Sequence, residues 1–575
     1  MNATHEAVST ARNAAPAGRN DGPTHEVFNQ SPPLVDVNLY RGDSALRDAV
    51  RRHGGGWDEE ALDEQGARTG SAEVIEWGFL ANAHPPRFES HDRQGRRVDI
   101  VRYHDAYHRL MEQALSLGLH ARPWAEPRPG AHVTRAALYY LQAQVEAGHG
   151  CPVTMTFAAV PTLRLTPSVA KAWLPRVLEP AYDPRNVPYT EKTAVTLGMG
   201  MTEKQGGSDV RGNTTRAAPL AARGPGETYA LTGHKWFTSA PMCDAFFLLA
   251  QAEGGLSCFL APRWRADGSK NPIEVQRLKD KVGNVSNASS EIELRGAQAW
   301  LVGEEGRGVR SIIEMVAMTR FDCMVGSSAA QRQAVAQAVN HARGRSAFGK
   351  ALIDQPLMRN VLADLQLELE GSLALTFRMA EALDRTAAEP DNEHEALLLR
   401  LGLPTGKYWI CKRTPQHAYE AMECLGGNGV TESFMTARLY RDAPINAIWE
   451  GSGNVQALDM LRALSRTPGV AEAWFGELAA TRGDSPALDR AVAALQKALG
   501  EALADPAEAE YRARDLVDRL ALTMQASLLL RGGSPGVAEA FIVSRLAGQG
   551  DRNYGTLPRD LDVTEILDRA DPLSD

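Results

Sequence analysis

Apolar positions recur at three- and four-residue spacing over most of this chain, and at every second residue for about a hundred residues in its middle. Residues 38–197 carry the helical spacing, for instance HDAYHRLMEQALSLGL (104–119) and RAALYYLQAQVEAG (135–148), with Pro and Gly clusters breaking it at 122–130 and 178–188. The period then changes. YALTGHKWFTS (229–239) alternates as a half-buried strand does, 245–262 reads as two apolar strands around Gly254-Gly255, and 273–277 and 290–294 continue the strand character. Helical spacing returns in long runs at 308–343, 355–383, 402–425 and 455–464. A further helical segment follows Thr467-Pro468-Gly469, with its own breaks at Pro486, Pro506 and 532–535. The pattern predicts a mainly α fold with a central β domain. Its expected parts are a flexible tail (1–27), an N-terminal helical domain (28–197), a β domain (198–303), a second helical domain (304–466) and a C-terminal helical extension (467–575). No internal repeat is visible.

Composition adds exclusions. A hydrophobic fraction of 43% and a charged fraction of 23% are those of an ordinary globular protein. A net charge of −9 argues against affinity for an acidic polymer across the whole surface, though not against a local basic patch. Cys151, Cys243, Cys258, Cys323, Cys411 and Cys424 lie far apart with no CxxC pair, so no metal site is expected, and buried thiols in a reducing compartment are. No apolar run approaches the roughly 20 residues needed to span a bilayer, and the N-terminus lacks a basic region followed by an apolar one. The expectation is a soluble, cytoplasmic protein with no membrane partner.

Five stretches carry candidate chemistry. In GMGMTEKQGGSDVRGN (198–213), Thr202 and Ser208 flank the Gly206-Gly207 pair, where backbone can approach a ligand and hydroxyls can meet a heteroaromatic edge or a phosphate. Alone it reads equally as a polar surface turn. In GHKWFTS (233–239), Trp236 and Thr238 are two apart on a strand and point to one face, placing an indole beside a planar ring and a hydroxyl at its edge. A lone Trp is more often core. In RGRSAFGKALIDQPLM (343–358), the Arg345 guanidinium fork suits a pyrophosphate, though a surface Arg beside a helix C-cap glycine is the commoner use. ECLGGNG (423–429) is a glycine-rich turn after a helix. In IWEGSGN (448–454), Glu450 sits between Trp449 and a Gly-Ser-Gly turn. A carboxylate in a water-poor pocket can act as a base near neutral pH, whereas a Glu at a helix N-terminus is the bland alternative.

In this order and spacing the five stretches resemble the acyl-CoA dehydrogenase family, from about residue 153 to 464. The resemblance implies that family's fold, of helical bundle, β-barrel-like domain and helical bundle, here with a C-terminal helical extension, and it implies FAD. Residue by residue, it implies Met201, Thr202 and Ser208 at the flavin and substrate, Trp236, Phe237, Thr238 and Ser239 on the isoalloxazine, and Arg345 and Phe348 reaching the neighbouring subunit's FAD. Gly426, Gly427 and Gly429 would approach the FAD diphosphate and adenosine, and Trp449, Ser452 and Asn454 complete the cofactor set. Glu450 matches the base that takes the α-proton of an acyl thioester, its backbone N–H helping to polarise the thioester carbonyl. Thr319 and Arg320 match a pair at the CoA moiety. Shared FAD sites imply a dimer of dimers, a homotetramer.

Three further stretches, FNQSPPLVDVNLY (28–40), QVEAGHGCPVTMTFA (144–158) and LKDKVGNVSNAS (278–289), are similar to AidB-type alkylation-response flavoproteins. That narrower resemblance implies FAD and double-stranded DNA binding, a link to defence against DNA methylation damage, weak dehydrogenase activity, and Arg462 near the active-site opening. Trp449, where the dehydrogenases usually carry Tyr, gives weak turnover a physical cause by narrowing the acyl channel. The DNA expectation meets an obstacle. Residues 451–575 hold 13 Lys and Arg against 19 Asp and Glu, a net of −6, whereas duplex binding needs a cationic face. Arg462, Arg466, Arg512, Arg514 and Arg519 could still form one, or simply pair with Asp515 and Asp518 along a solvated helix. The competing expectation is a metabolic acyl-CoA dehydrogenase with no DNA role.

Overall fold

A computed structural model describes residues 27–550 and 553–574. The tail expected at 1–27 falls almost wholly outside them.

The N-terminal region builds α1 (Ser44–Arg52), α2 (Glu59–Thr69), α3 (Ala72–Ala83), α4 (Asp105–Ser116), α5 (Arg122–Ala125), α6 (Ala131–Ala143), α7 (Gly150–Arg164) and α8 (Pro167–Val177). It also contains an antiparallel hairpin that the helical reading missed, β1 (Arg87–His91) with β2 (Arg97–Arg102). Its sequence, RFESHDRQGRRVDIVR, is so charged that apolar alternation is faint. Ion pairs hold it instead: Asp99 accepts from Arg97 Nε (3.0 Å) and from Lys270 Nζ (2.6 Å), which ties the hairpin to the β domain.

The β domain comprises β3 (Leu197–Gly200), β4 (Arg216–Pro219), β5 (Thr228–Ser239), β6 (Ala245–Ala252), β7 (Gly255–Pro262), β8 (Ile273–Leu278) and β9 (Ser289–Val302). β6, β4, β5, β9 and β7 pair in turn, and β7 pairs back to β6, so the sheet closes on itself, with β3 and β8 alongside. The Gly254-Gly255 hairpin forms as read, pairing Ala252 with Gly255. β9 is far longer than the expected strand at 290–294, because its central position gives it β5, β7 and β8 as partners.

Three long helices then pack together: α9 (Gly308–Gly344), α10 (Pro356–Ala388) and α11 (Glu393–Cys424). At 37 residues α9 is buried on most sides, touching α6, α7, α10 and α11. Its deep charge pairs include Asp322 with the fully buried Arg135 of α6, whose Nε also donates to Leu119 O (2.7 Å), and Arg332 with Asp43 (3.3 Å). α11 approaches α9 closely because Gly406 has no side chain, and a Cβ there would run into Met324. A two-strand turn, β10 (Ser346–Ala347) and β11 (Lys350–Ala351), links α9 to α10. After α12 (Met435–Ile448) and α13 (Gly453–Arg466) come α14 (Val470–Leu478), α15 (Pro486–Leu503), α16 (Pro506–Gly532), α17 (Pro535–Phe541) and α18 (Thr564–Ala570). α16 lies against α10, α11 and α13, so the extension docks on the helical domain. No helix of the described residues is long and apolar enough to cross a membrane, and all six cysteines are free and buried.

Candidate active site

α12 stops at Ile448, and α13 does not begin until Gly453. In the gap Glu450 takes a left-handed backbone conformation (φ +58°), which a side chain adopts only when its surroundings impose it. The Thr319 hydroxyl of α9 donates to Glu450 Oε2 (2.9 Å), and Arg320 Nε donates to the Glu450 carbonyl (3.1 Å). The pair expected at the CoA moiety thus lies directly on Glu450. Burial raises the Glu450 pKa above its ordinary value, outweighing the Thr319 hydrogen bond and the charges of Lys407 and Arg320, which pull it down. The hydrogen bonds formed among the described residues leave the Glu450 N–H unused. Trp449 stands half-buried beside it, its indole N–H donating to Asn446 Oδ1 (2.9 Å).

The second wall comes from the β domain. Trp236 N–H donates to Thr202 O (2.8 Å), coupling the two motif segments, and a Cβ on Gly207 would run into the Thr202 side chain. The β5–β9 register shifts between Lys235 and Thr238, so Trp236 and Thr238 sit at an irregularity rather than on an evenly alternating strand. Trp236 and Ser239 are half-buried, Phe237 is exposed and Thr238 is fully buried. The Thr238 hydroxyl has no partner. Lys279 Nζ lies 3.3 Å from the Trp236 ring centroid and is paired with Glu291 (2.6 Å). Met201 is half-buried, while Ser208 is exposed.

Cys151 joins the two walls. Burial pushes its thiol up to about 11, with Lys281 opposing and Glu450 adding to the rise. Both atoms of the Asn287 amide group and the Thr154 hydroxyl are buried without a partner. Cys151, Thr154, Lys281 and Asn287 were not among the expected site residues. They lie in GHGCPVTMTFA and LKDKVGNVSNAS, stretches read only as marks of a narrower resemblance.

A separate cluster forms around β10–β11. Phe348 projects fully exposed from the turn with φ +53°. Arg345 Nη1 donates to Asn29 O (3.0 Å), Ser346 N–H to Asn29 Oδ1 (2.6 Å), and Asn428 Nδ2 to Gln30 Oε1 (3.5 Å). The FNQ stretch therefore binds both the Arg345 turn and the glycine turn. Gly426 and Gly427 face open space, whereas Gly429 packs on Met422. Ser452 is exposed, and Asn454 accepts from Arg514 Nε of α16 (2.9 Å). Arg462 is exposed and lies 3.8 Å from Asp459, which also accepts from Arg320 (2.6 Å) and Arg400 (2.9 Å). No group of three or more metal-ligating side chains occurs among the described residues.

Comparison with known proteins agrees with this fold. The AidB N-terminal domain model, that of an adaptive response protein, matches residues 29–184. The acyl-CoA dehydrogenase middle-domain and C-terminal-domain models match 198–297 and 306–465. Over 520 residues the chain is 47% identical to the acyl-CoA dehydrogenase-like protein AidB of Escherichia coli (strain K12), covering 90% of this chain and 94% of that one. The chain belongs to the acyl-CoA dehydrogenase family. Within this family it is also 30% identical, over 91% of its length and 88% of the other, to acyl-CoA dehydrogenase family member 11 of Caenorhabditis elegans. The crystal structure of Caenorhabditis elegans ACDH-11 in complex with C11-CoA superposes with a TM-score of 0.81 at 27% identity, covering 98% of this chain and 96% of that one. An acyl-CoA dehydrogenase from Bacillus anthracis complexed with FAD shares the fold at a TM-score of 0.62 and 19% identity, over 77% and 81% of the two chains.

Proposed function

We propose that this acyl-CoA dehydrogenase family member holds FAD and oxidises an acyl-CoA at its α,β bond, with Glu450 as the base. The observation that carries the reading is the partly buried Glu450 carboxylate, its pKa raised by burial and one oxygen held by Thr319. The residues fit FAD. The buried, unpartnered Thr238 hydroxyl beside half-buried Trp236 suits a flavin edge, and the open glycine turn at Gly426-Gly427 suits a diphosphate. Trp236, Thr238, Thr202, Met201, Phe237 and Ser239 would hold the ring, with Ser208 at its margin. Arg345, Phe348, Gly426, Gly427 and Gly429 would serve a neighbour's FAD in a homotetramer, which gives the fully exposed Phe348 a partner. Ser452 and Asn454 would lie toward the adenine.

FAD, when bound, supplies the acceptor for the hydride leaving the β-carbon. The protein's own part is proton chemistry. Glu450 takes the α-proton on the oxygen not engaged by Thr319, and its unused N–H donates to the thioester carbonyl, acidifying the α-carbon. Arg320 fixes the Glu450 carbonyl so that this N–H keeps its direction. Trp449 narrows the acyl channel and keeps turnover slow. The test is anaerobic flavin bleaching by a panel of acyl-CoAs. Absence of bleaching by every member would refute the reading.

The match of residues 29–184 to the adaptive-response domain favours a second role, in the cytoplasmic response to DNA alkylation with double-stranded DNA as partner. The extension adds little to it. Arg512 is shared between Glu501 (4.0 Å) and Glu508 (3.8 Å), and Arg519 pairs with Asp515 (3.0 Å). Arg462, exposed and loosely held, is the better placed cation. Titration with duplex DNA at two salt concentrations decides: steep salt dependence supports the role, and no retention at low salt removes it.

A further inference from the structure

The loop around Glu450 is gripped through its backbone. Lys407 Nζ donates to the carbonyls on either side of the base, Trp449 O (2.8 Å) and Gly451 O (2.6 Å). Gln456 Nε2 donates to Glu450 O (2.9 Å) and Gly451 O (3.0 Å), and Arg320 Nε completes the set on Glu450 O (3.1 Å). Three consecutive carbonyls are thus tied to side chains from α9, α11 and α13. Only such a grip keeps a glutamate at φ +58°.

Lys407 is the part of this grip that brings a buried charge with it. It is 1% exposed, on α11 beside Gly406, and no carboxylate pairs with it among the described residues. A buried ammonium is costly unless its charge is used. Here both its assigned hydrogen bonds go to carbonyl dipoles of the base loop, and its field falls on Glu450. The other groups facing Glu450 are Thr319, Arg320 and Cys323 from α9 and Cys151 from α7. Arg320 is largely committed to Asp459 of α13 (2.6 Å), so of the two cations whose field falls on Glu450, Lys407 is the one with no counter-ion among the described residues. Cys411 of α11 lies near Lys407 as a buried thiol pushed up by burial.

We propose that Lys407 is a positioning residue for the reaction: it holds the Glu450 loop in its left-handed turn and keeps a positive charge beneath the base. The consequence is twofold. The Glu450 N–H stays aimed at the site, and the carboxylate stays ionised down to a lower pH than its burial alone would permit. This rests on Glu450 being the base.

The experiment uses the full-length, flavin-loaded protein and the substitutions Lys407→Met, which removes charge and donors, and Lys407→Gln, which removes charge but keeps donors. Infrared difference spectroscopy follows the carboxyl band that disappears in Glu450→Gln as pH is varied. Bleaching by acyl-CoAs is measured over the same range. The expected result is an upward shift of the Glu450 midpoint by about one pH unit in both variants, equivalent to about tenfold less ionised base on the acid limb. Lys407→Gln should retain more of the plateau bleaching rate than Lys407→Met. An unchanged midpoint in either folded, flavin-loaded variant overturns the proposal. So does failure of both to fold and load flavin, since Lys407 would then be a structural residue. If no acyl-CoA bleaches even the wild-type protein, the base reading fails, while the infrared midpoint still decides whether Lys407 acts on Glu450.

Discussion

The two walls of the site differ in how their polar groups are satisfied. Around Glu450, Lys407, Gln456, Arg320 and Thr319 engage the loop carbonyls and the carboxylate. Across from it, the Thr238 hydroxyl, the Asn287 amide and the Thr154 hydroxyl are buried with nothing to bond. An unsatisfied buried polar atom costs roughly 1–3 kcal/mol, so a ligand that bonds these groups would gain from them. The Glu450 wall has its loop carbonyls and one carboxylate oxygen satisfied by the protein itself. The β wall holds buried groups that a ring system rich in acceptors and donors, such as the flavin proposed above, would satisfy.

The sharpest break between the walls is predicted for Glu450→Gln. It should lower flavin bleaching by about a thousandfold and leave FAD bound, since the Glu450 carboxylate is held by Thr319 of the protein itself. Loss of FAD from this variant would erase the distinction. In the wild-type protein bleaching should fail as pH drops, because the base must be ionised. Since burial raises the Glu450 pKa above its ordinary 4.5, the failure begins at a higher pH than a solvent-exposed glutamate would give.

Thr238→Val tests the other wall. Removing a hydroxyl that only a ligand can satisfy should weaken FAD affinity about tenfold, read by flavin release on dilution, while the apo-protein keeps its melting temperature or gains slightly. A folded apo-protein that is destabilised instead would mean that the hydroxyl already has an internal use. Trp449→Tyr should act less. It trades the indole held by Asn446 for a smaller ring and should raise bleaching by long-chain acyl-CoAs about threefold, with short chains little changed.

What could be read along the chain was whatever lies in consecutive residues. The β domain and the long helices are local patterns, and each has its counterpart in the structure; the five motifs are local patterns too. The grip on Glu450 is not local. Thr319 and Glu450 are 131 positions apart, so the TR pair could be read as a motif but not as the holder of the base. Lys407 gave no signal at all, being a single lysine in an apolar helical run whose partners are backbone carbonyls. The β1–β2 hairpin was lost for a different reason, since its alternating face is built from arginines and acids. Cys151 and Asn287 stood inside stretches already singled out, but burial without a partner is a property of packing, which no spacing of residue types displays.

The smallest expected effect belongs to the C-terminal extension. Arg514 bonds Asn454, a residue expected toward the adenine, across an exposed surface. Exposed contacts of this kind are worth a few tenths of a kcal/mol, and Asn454, unlike Thr238, is exposed with its Oδ1 already bonded. Arg514→Ala should therefore change FAD affinity by less than about twofold, because losing the Arg514 bond is offset by freeing the Asn454 amide for the ligand or for water. The same titration used for Thr238→Val measures it. A loss as large as that of Thr238→Val would show that the extension completes the cofactor site, and that the line between satisfied and waiting polar groups runs through α16 rather than between the two walls.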